Sequence, residues 1–185
     1  MADRRVERTR SALERSFDGL FLAEGYPGAT PARVAQEADV GRSTFYEHFA
    51  GRDDLLEQRL GVVMRPLADA ATSPVVPAEL EAALDHFWSN RVMTRALLAG
   101  RARGVAVRVL TSLIEERLLA TVGKTKPAVP ADLIASQIAG GQLAMLEVWL
   151  SGRRHCAAVV LASGLHGGSL AAARAMMELP QVPQS

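Results

Sequence analysis

Apolar residues recur along this chain at the spacing of helices, with no run at the two-residue alternation of strands. Leu13, Phe17, Leu20 and Phe21 fall at i, i+4, i+7 and i+8, one face of a first helix. Gly25 closes it, because glycine accepts the left-handed turn that ends helices, and Pro27 blocks resumption. Thr30 caps a second helix with Pro31 in its first position, where a missing N–H costs nothing. Val34, Ala35 and Ala38 form its inner face, and Asp39-Val40-Gly41 make a turn. A short third helix then carries Phe45 and Phe49 inward at i, i+4.

Asp53 or Asp54 opens a fourth helix through Leu56, Leu60, Val63 and Leu67, which Pro66 kinks or ends near Arg65. Residues 73–77 and 123–130 read as loops. Further helices are predicted from about Glu79 to Leu98, then to about Val122 with an interruption at Gly100 to Gly104. Two last ones run roughly over Ala131–Ser151 and His155–Glu178. The fold class is all-α, with about nine helices. The chain divides into a three-helix unit over 1–52, a helical body over 53–178, and a Pro/Gln tail over 179–185 expected to be disordered.

Residues 30–52 have the anatomy of a helix-turn-helix, whose second helix is shaped to enter a DNA major groove. With Phe45 at zero on a helical wheel, Ser43, Thr44, Tyr46 and Glu47 all point away from the core. Arg42 stands at the helix start, where it could pair bidentately with guanine, and Thr44 could touch a thymine methyl. Tyr46, His48 and Arg52 have the reach for phosphate oxygens. Glu47 fits beside phosphates best when paired with Arg42 or another base.

Composition changes this picture little. Of 185 residues, 49% are hydrophobic and 22% charged, which excludes wholesale disorder and allows a sizeable core. Net charge is +1, and residues 1–60 carry nine Arg against eleven Asp or Glu. Attraction to DNA must therefore come from local placement, notably Arg4, Arg5, Arg8 and Arg10. A single cysteine, Cys156, forbids an intrachain disulfide and fits a reducing cytoplasm as a small buried hydrophobe. Charges throughout the first 25 residues argue against a signal peptide. The uncharged run from His155 to Ala173 reads as a buried helix rather than a membrane span.

No catalytic residue, metal site or cofactor is expected. His48, His86, His155 and His166 lack metal-ligand spacing, and no phosphate loop or nucleophile motif appears. An all-α enzyme is thus disfavoured.

Gly25-Tyr26, Thr30, Val34-Ala35, Ala38-Asp39-Val40, Ser43-Thr44-Phe45-Tyr46, His48-Phe49, Arg52 and Leu55 together resemble the N-terminal domain of the TetR (tetracycline-repressor-like) regulators, over residues of about 8 to 60. Three positions depart from that pattern: Asp39 replaces the usual glycine, Gly41 a frequent serine, and Arg52 the usual lysine. The resemblance implies a DNA-binding domain over 1–52 and an effector-binding and dimerisation domain over 53–178. It maps DNA contacts onto Thr30, Arg42, Ser43, Thr44, Tyr46, His48 and Arg52. It also implies a cytoplasmic, ligand-responsive repressor, a homodimer on a near-palindromic double-stranded operator, released by a small-molecule effector. A constitutive DNA-binding regulator without effector is the alternative.

In such proteins the last two helices form a four-helix bundle across a two-fold axis. Ile134, Ile138, Gly141, Met145 and Trp149 on one helix support this, as do Gly164, Gly167 and Gly168 on the next. The middle helices enclose the effector pocket. Leu84, Trp88, Arg91 and Arg95 fall at i, i+4, i+7 and i+11 with Phe87 beside them, which suggests Trp88 stacking and an Arg neutralising an acidic or aromatic effector. The competing reading has both Arg snorkelling or paired with Glu115 or Glu116. Trp149, His86, Met93, Leu97 and Arg108 complete the pocket candidates.

Overall fold

A computed structural model describes residues 2–122, 127–153 and 156–178, and these are all-helical. The ten helices are α1 (Ala2–Gly28), α2 (Pro31–Glu37), α3 (Arg42–His48), α4 (Arg52–Val63), α5 (Arg65–Asp69), α6 (Ala78–Ser89), α7 (Arg91–Leu97), α8 (Gly100–Val122), α9 (Ala131–Leu150) and α10 (Ala158–Met177). The tail 179–185 and His155 lie outside the described residues.

The first helix buries Leu13, Phe17, Leu20 and Phe21. Gly25 interrupts it at φ 72°, a left-handed conformation open to glycine, and one short turn bearing Pro27 follows. Thr30 caps α2 through its hydroxyl, which accepts from the Arg33 N–H at 3.4 Å, with Pro31 next in line. Asp39 takes φ 54°, the left-handed value that lets the chain reverse between α2 and α3. The Val40 N–H closes this turn on the Ala35 carbonyl at 3.0 Å. Phe45 and Phe49 are wholly buried, 5.7 Å apart, against the core of α1 and α2.

The fourth helix ends at Val63, and Pro66 sits in the first turn of α5, so proline separates the two as the pattern required. Helix α4 starts at Arg52, just before the expected Asp53 or Asp54.

The stretch 79–98 is two helices, not one. The break falls at Asn90, whose ψ of 31° leaves the helical region and whose side-chain amide donates to the His86 carbonyl at 3.0 Å. Asn stops helices by such local bonds, a competition that apolar periodicity does not register. This is why the described residues form ten helices rather than about nine. The expected interruption at Gly100 to Gly104 is confined to Gly100, at φ 53°.

Helices α8 and α9 make the most extensive helix pair, burying Ala106, Leu110 and Ile114 against Ile134, Ile138 and Leu143. The amide of Gln142, itself buried, donates to the Leu67 carbonyl (2.9 Å) and the Ser169 hydroxyl (2.8 Å), tying α9 to α5 and α10. By length and composition α9 could cross a membrane, yet half of it is buried inside the chain, as in a core helix.

Candidate nucleic-acid interface

Seven residues make α3, too few to persist alone in water. Its position comes from Phe45 and Phe49, which anchor it while Gly41 leads into it with extended backbone. The opposite side is open. Arg42, Ser43, Tyr46 and Glu47 are exposed, Thr44 and His48 half-buried at its edges. The Arg42 guanidinium lies 5.7 Å from the Tyr46 ring centre, and Tyr46 leans edge-on against Phe45 at 5.4 Å. This pre-orients a cation and a phenol at the start of the exposed strip. The expected pairing of Glu47 with Arg42 does not form; among the described residues Arg42 is drawn to the aromatic ring instead. Thr30 stands half-buried at the start of α2.

Two arginines expected to face DNA are turned into the protein. Arg52 lies 4.1 Å from the Tyr26 ring centre and donates to the carbonyls of Tyr26 (2.8 Å) and Pro27 (3.4 Å). It thereby clamps the end of α1 to the start of α4. Tyr26 completes the clamp by donating its hydroxyl to Asp53. Burial, reinforced by that bond, pushes the Tyr26 phenol up to about 12. Arg10 reaches across the Phe49 ring at 5.1 Å and bonds Gln58 and Glu14. Arg4, Arg5 and Arg8 remain exposed on α1.

A cavity of about 640 Å³ lies beneath this domain, walled by α1, α4, α6, α7 and α9. Phe17, Leu60, Met64, Phe87, Met93 and Leu146 are among its apolar walls. Of the six residues expected at an effector pocket, Phe87 lines it and the others do not. Leu84 is core. Trp88 and Trp149 lie against each other, tilted by 44° with ring centres 4.9 Å apart, and the Trp149 indole donates to the Cys156 carbonyl. Arg91 and Arg95 are exposed, Arg91 lying 5.8 Å over Trp88. The break at Asn90 ends α6 and begins α7, so these residues do not lie on one continuous helix. His86, Met93 and Leu97 do line the cavity, whereas Arg108 pairs outside it with Glu57 at 2.8 Å. That pairing holds the Arg108 guanidinium above its usual range.

On α9 and α10 the apolar residues split. Ile134, Ile138 and Trp149 pack inward, whereas Leu133, Gly141, Met145 and Val148 remain exposed. Val159, Val160, Gly164, Gly167 and Gly168 are likewise exposed on α10.

Comparison with known proteins agrees with this architecture. Residues 19–58 match the model for bacterial regulatory proteins of the tetR family. Over 78 residues the chain is 35% identical to the uncharacterised HTH-type transcriptional regulator YxbF of Bacillus subtilis, a match covering 42% of this chain and 20% of that protein. Over 55 residues it is 36% identical to the HTH-type transcriptional regulator TcmR of Streptomyces glaucescens, covering 30% of this chain and 24% of that one. The matches thus span a quarter or less of these relatives' length. A solved TetR transcriptional regulator from Streptococcus agalactiae shares the fold, with a TM-score of 0.59 at 23% identity over 91% of this chain and 97% of its own. Residues 19–58 are thus similar in sequence to tetR-family regulators, and the fold of the chain is similar to that of a solved TetR regulator.

Proposed function

We propose that this protein is a ligand-responsive transcriptional repressor that binds a near-palindromic operator as a homodimer. The observation that carries this reading is α3 itself, with two phenylalanines buried beneath and Arg42, Ser43 and Tyr46 exposed above. Arg42 and Thr44 read base edges, while Thr30, Ser43, Tyr46 and His48 fix the helix on phosphates. Arg52 contributes by holding α4 to the end of α1.

Dimerisation through α9 and α10 is supported by their exposed apolar faces, rich in glycine where helices must approach closely. Two recognition helices would then enter successive major grooves, about 34 Å apart. The cavity supports an effector over the constitutive alternative, since its walls include α1 and α4, the two helices that set the domain's position. Release by a ligand requires strong discrimination between states, roughly 10⁴-fold for a near-complete switch. No step calls for enzymatic chemistry.

Footprinting the purified protein on the DNA flanking its own gene tests the proposal. A protected, two-fold symmetric site is expected; uniform or absent protection at low ionic strength overturns it.

A further inference from the structure

The cavity's charged groups lie at one place, and they are spent on one another. Arg59 meets Asp18 at 2.5 Å and Glu14 at 3.4 Å, and Arg10 meets Glu14 at 3.3 Å while also bonding Gln58. Two cations and two carboxylates leave no counter-charge for a ligand. Beyond them the walls are mostly apolar, with Phe17, Leu60, Val63, Met93 and Leu97, and the polar His86 and Asn90 lie side by side at 3.4 Å. At the far side the Thr94 hydroxyl lies 3.2 Å from the Phe87 carbonyl and 3.1 Å from that of Asn90. Its one proton serves these, and its lone pairs can accept from a guest. Leu22 of α1 and Val62 of α4 line the cavity yet are 54% and 65% exposed, an apolar rim at an opening to solvent.

We propose that the cavity takes an uncharged, largely apolar molecule carrying a single hydroxyl or comparable donor, entering past Leu22 and Val62. Such a ligand touches the DNA-binding domain directly through α1, because Phe17, Asp18 and Leu22 form one wall. Its arrival presses on the polar ties between α1 and α4 at this wall, those of Arg59 to Asp18 and Glu14 and of Arg10 to Gln58. This rests on the regulator reading above and names its effector class and route of coupling. The acidic effector expected from the arginines of α7 is replaced by an uncharged one, since Arg91 and Arg95 face solvent.

The test titrates the full chain with decanol, decanoate and decylammonium, each displacing the neutral dye N-phenyl-1-naphthylamine. Decanol should bind at least tenfold more tightly than either charged analogue. Equal or tighter binding of a charged one, or no binding of decanol, overturns the proposal. Leu22→Asp, on an exposed position that folding tolerates, should weaken decanol at least fivefold; an unchanged affinity removes α1 from the site. Val62→Asp gives the same readout from the α4 side. With a duplex from the gene's own flank, decanol and DNA should weaken each other by one common factor. Decanol bound with duplex affinity unchanged overturns the coupling. A chain that binds decanol but no duplex defeats the regulator reading instead, and leaves the apolar site standing.

Discussion

Arg52 is stacked on Tyr26, its guanidinium 4.1 Å from the ring centre while its Nη1 donates to the same residue's carbonyl at 2.8 Å. One side chain therefore joins the last turn of α1 to the first turn of α4, across the edge of the helix-turn-helix. Both contacts are partly buried, so the cation–π attraction and the charge-assisted bond each add to stability.

Replacing Arg52 with Ala should cost about 2 kcal/mol of stability, from those two contributions together. Its salt dependence on DNA should hardly change, whereas loss of a phosphate contact lowers the slope by about 0.9. Denaturant unfolding and duplex titrations at several salt concentrations read both. A full-sized fall in slope with intact stability would place Arg52 on the DNA instead.

Tyr26 gives a pH signature. Its phenol is raised from an ordinary 10.0 to about 12, first by burial and then by the bond to Asp53. The folded state thus holds its proton more tightly than the unfolded chain. The contribution is intact below pH 10, declines between 10 and 12 as the unfolded phenol ionises first, and is lost above. Tyr26→Phe should be less stable at pH 8 but show a flatter decline from pH 10 to 12. Parallel curves for the two proteins would remove Tyr26 as the titrating group.

Asp39 occupies the left-handed turn at φ 54°. An L-residue there carries strain of roughly 1 kcal/mol that glycine avoids, and Asp bears somewhat less than most. Asp39→Gly should therefore raise stability by up to about 1 kcal/mol and leave duplex affinity unchanged. A loss of stability would mean that the Asp side chain makes a contact more valuable than the relief of strain.

The faces of α9 and α10 supply a prediction about assembly. Val148 and Val160 are 58% and 59% exposed. Val148→Lys with Val160→Lys should convert a dimer to a monomer in sedimentation experiments and weaken operator binding, because the two half-sites lose their linkage. A wild-type chain that sediments as a monomer, or a double variant still dimeric, would move the interface elsewhere.

The helix-turn-helix was legible in the sequence because its signals are local. A Thr-Pro cap, an Asp in a tight turn and two Phe at i, i+4 each act within a few residues, and each is found as read. The cavity was not, since Phe17, Leu60 and Val63 carry the same spacing whether they meet another side chain or an empty space. Asn90 hid its break for a similar reason: it interrupts a helix by bonding back to His86, which leaves the apolar pattern on either side in phase. Arg52 and Arg10 were not legible in this respect, since a cation near a DNA-facing surface and a cation over a ring look alike in one dimension.

The central claim is that the free side of α3 reads base edges, and Arg42 tests it most directly. Fluorescence anisotropy with the duplex from the gene's own flank and a shuffled duplex of equal length gives the specificity ratio at fixed salt. Arg42→Ala should lose about 1–3 kcal/mol on the native duplex and much less on the shuffled one, collapsing the ratio. An equal loss on both, or a wild-type protein that never distinguished them, would contradict the account.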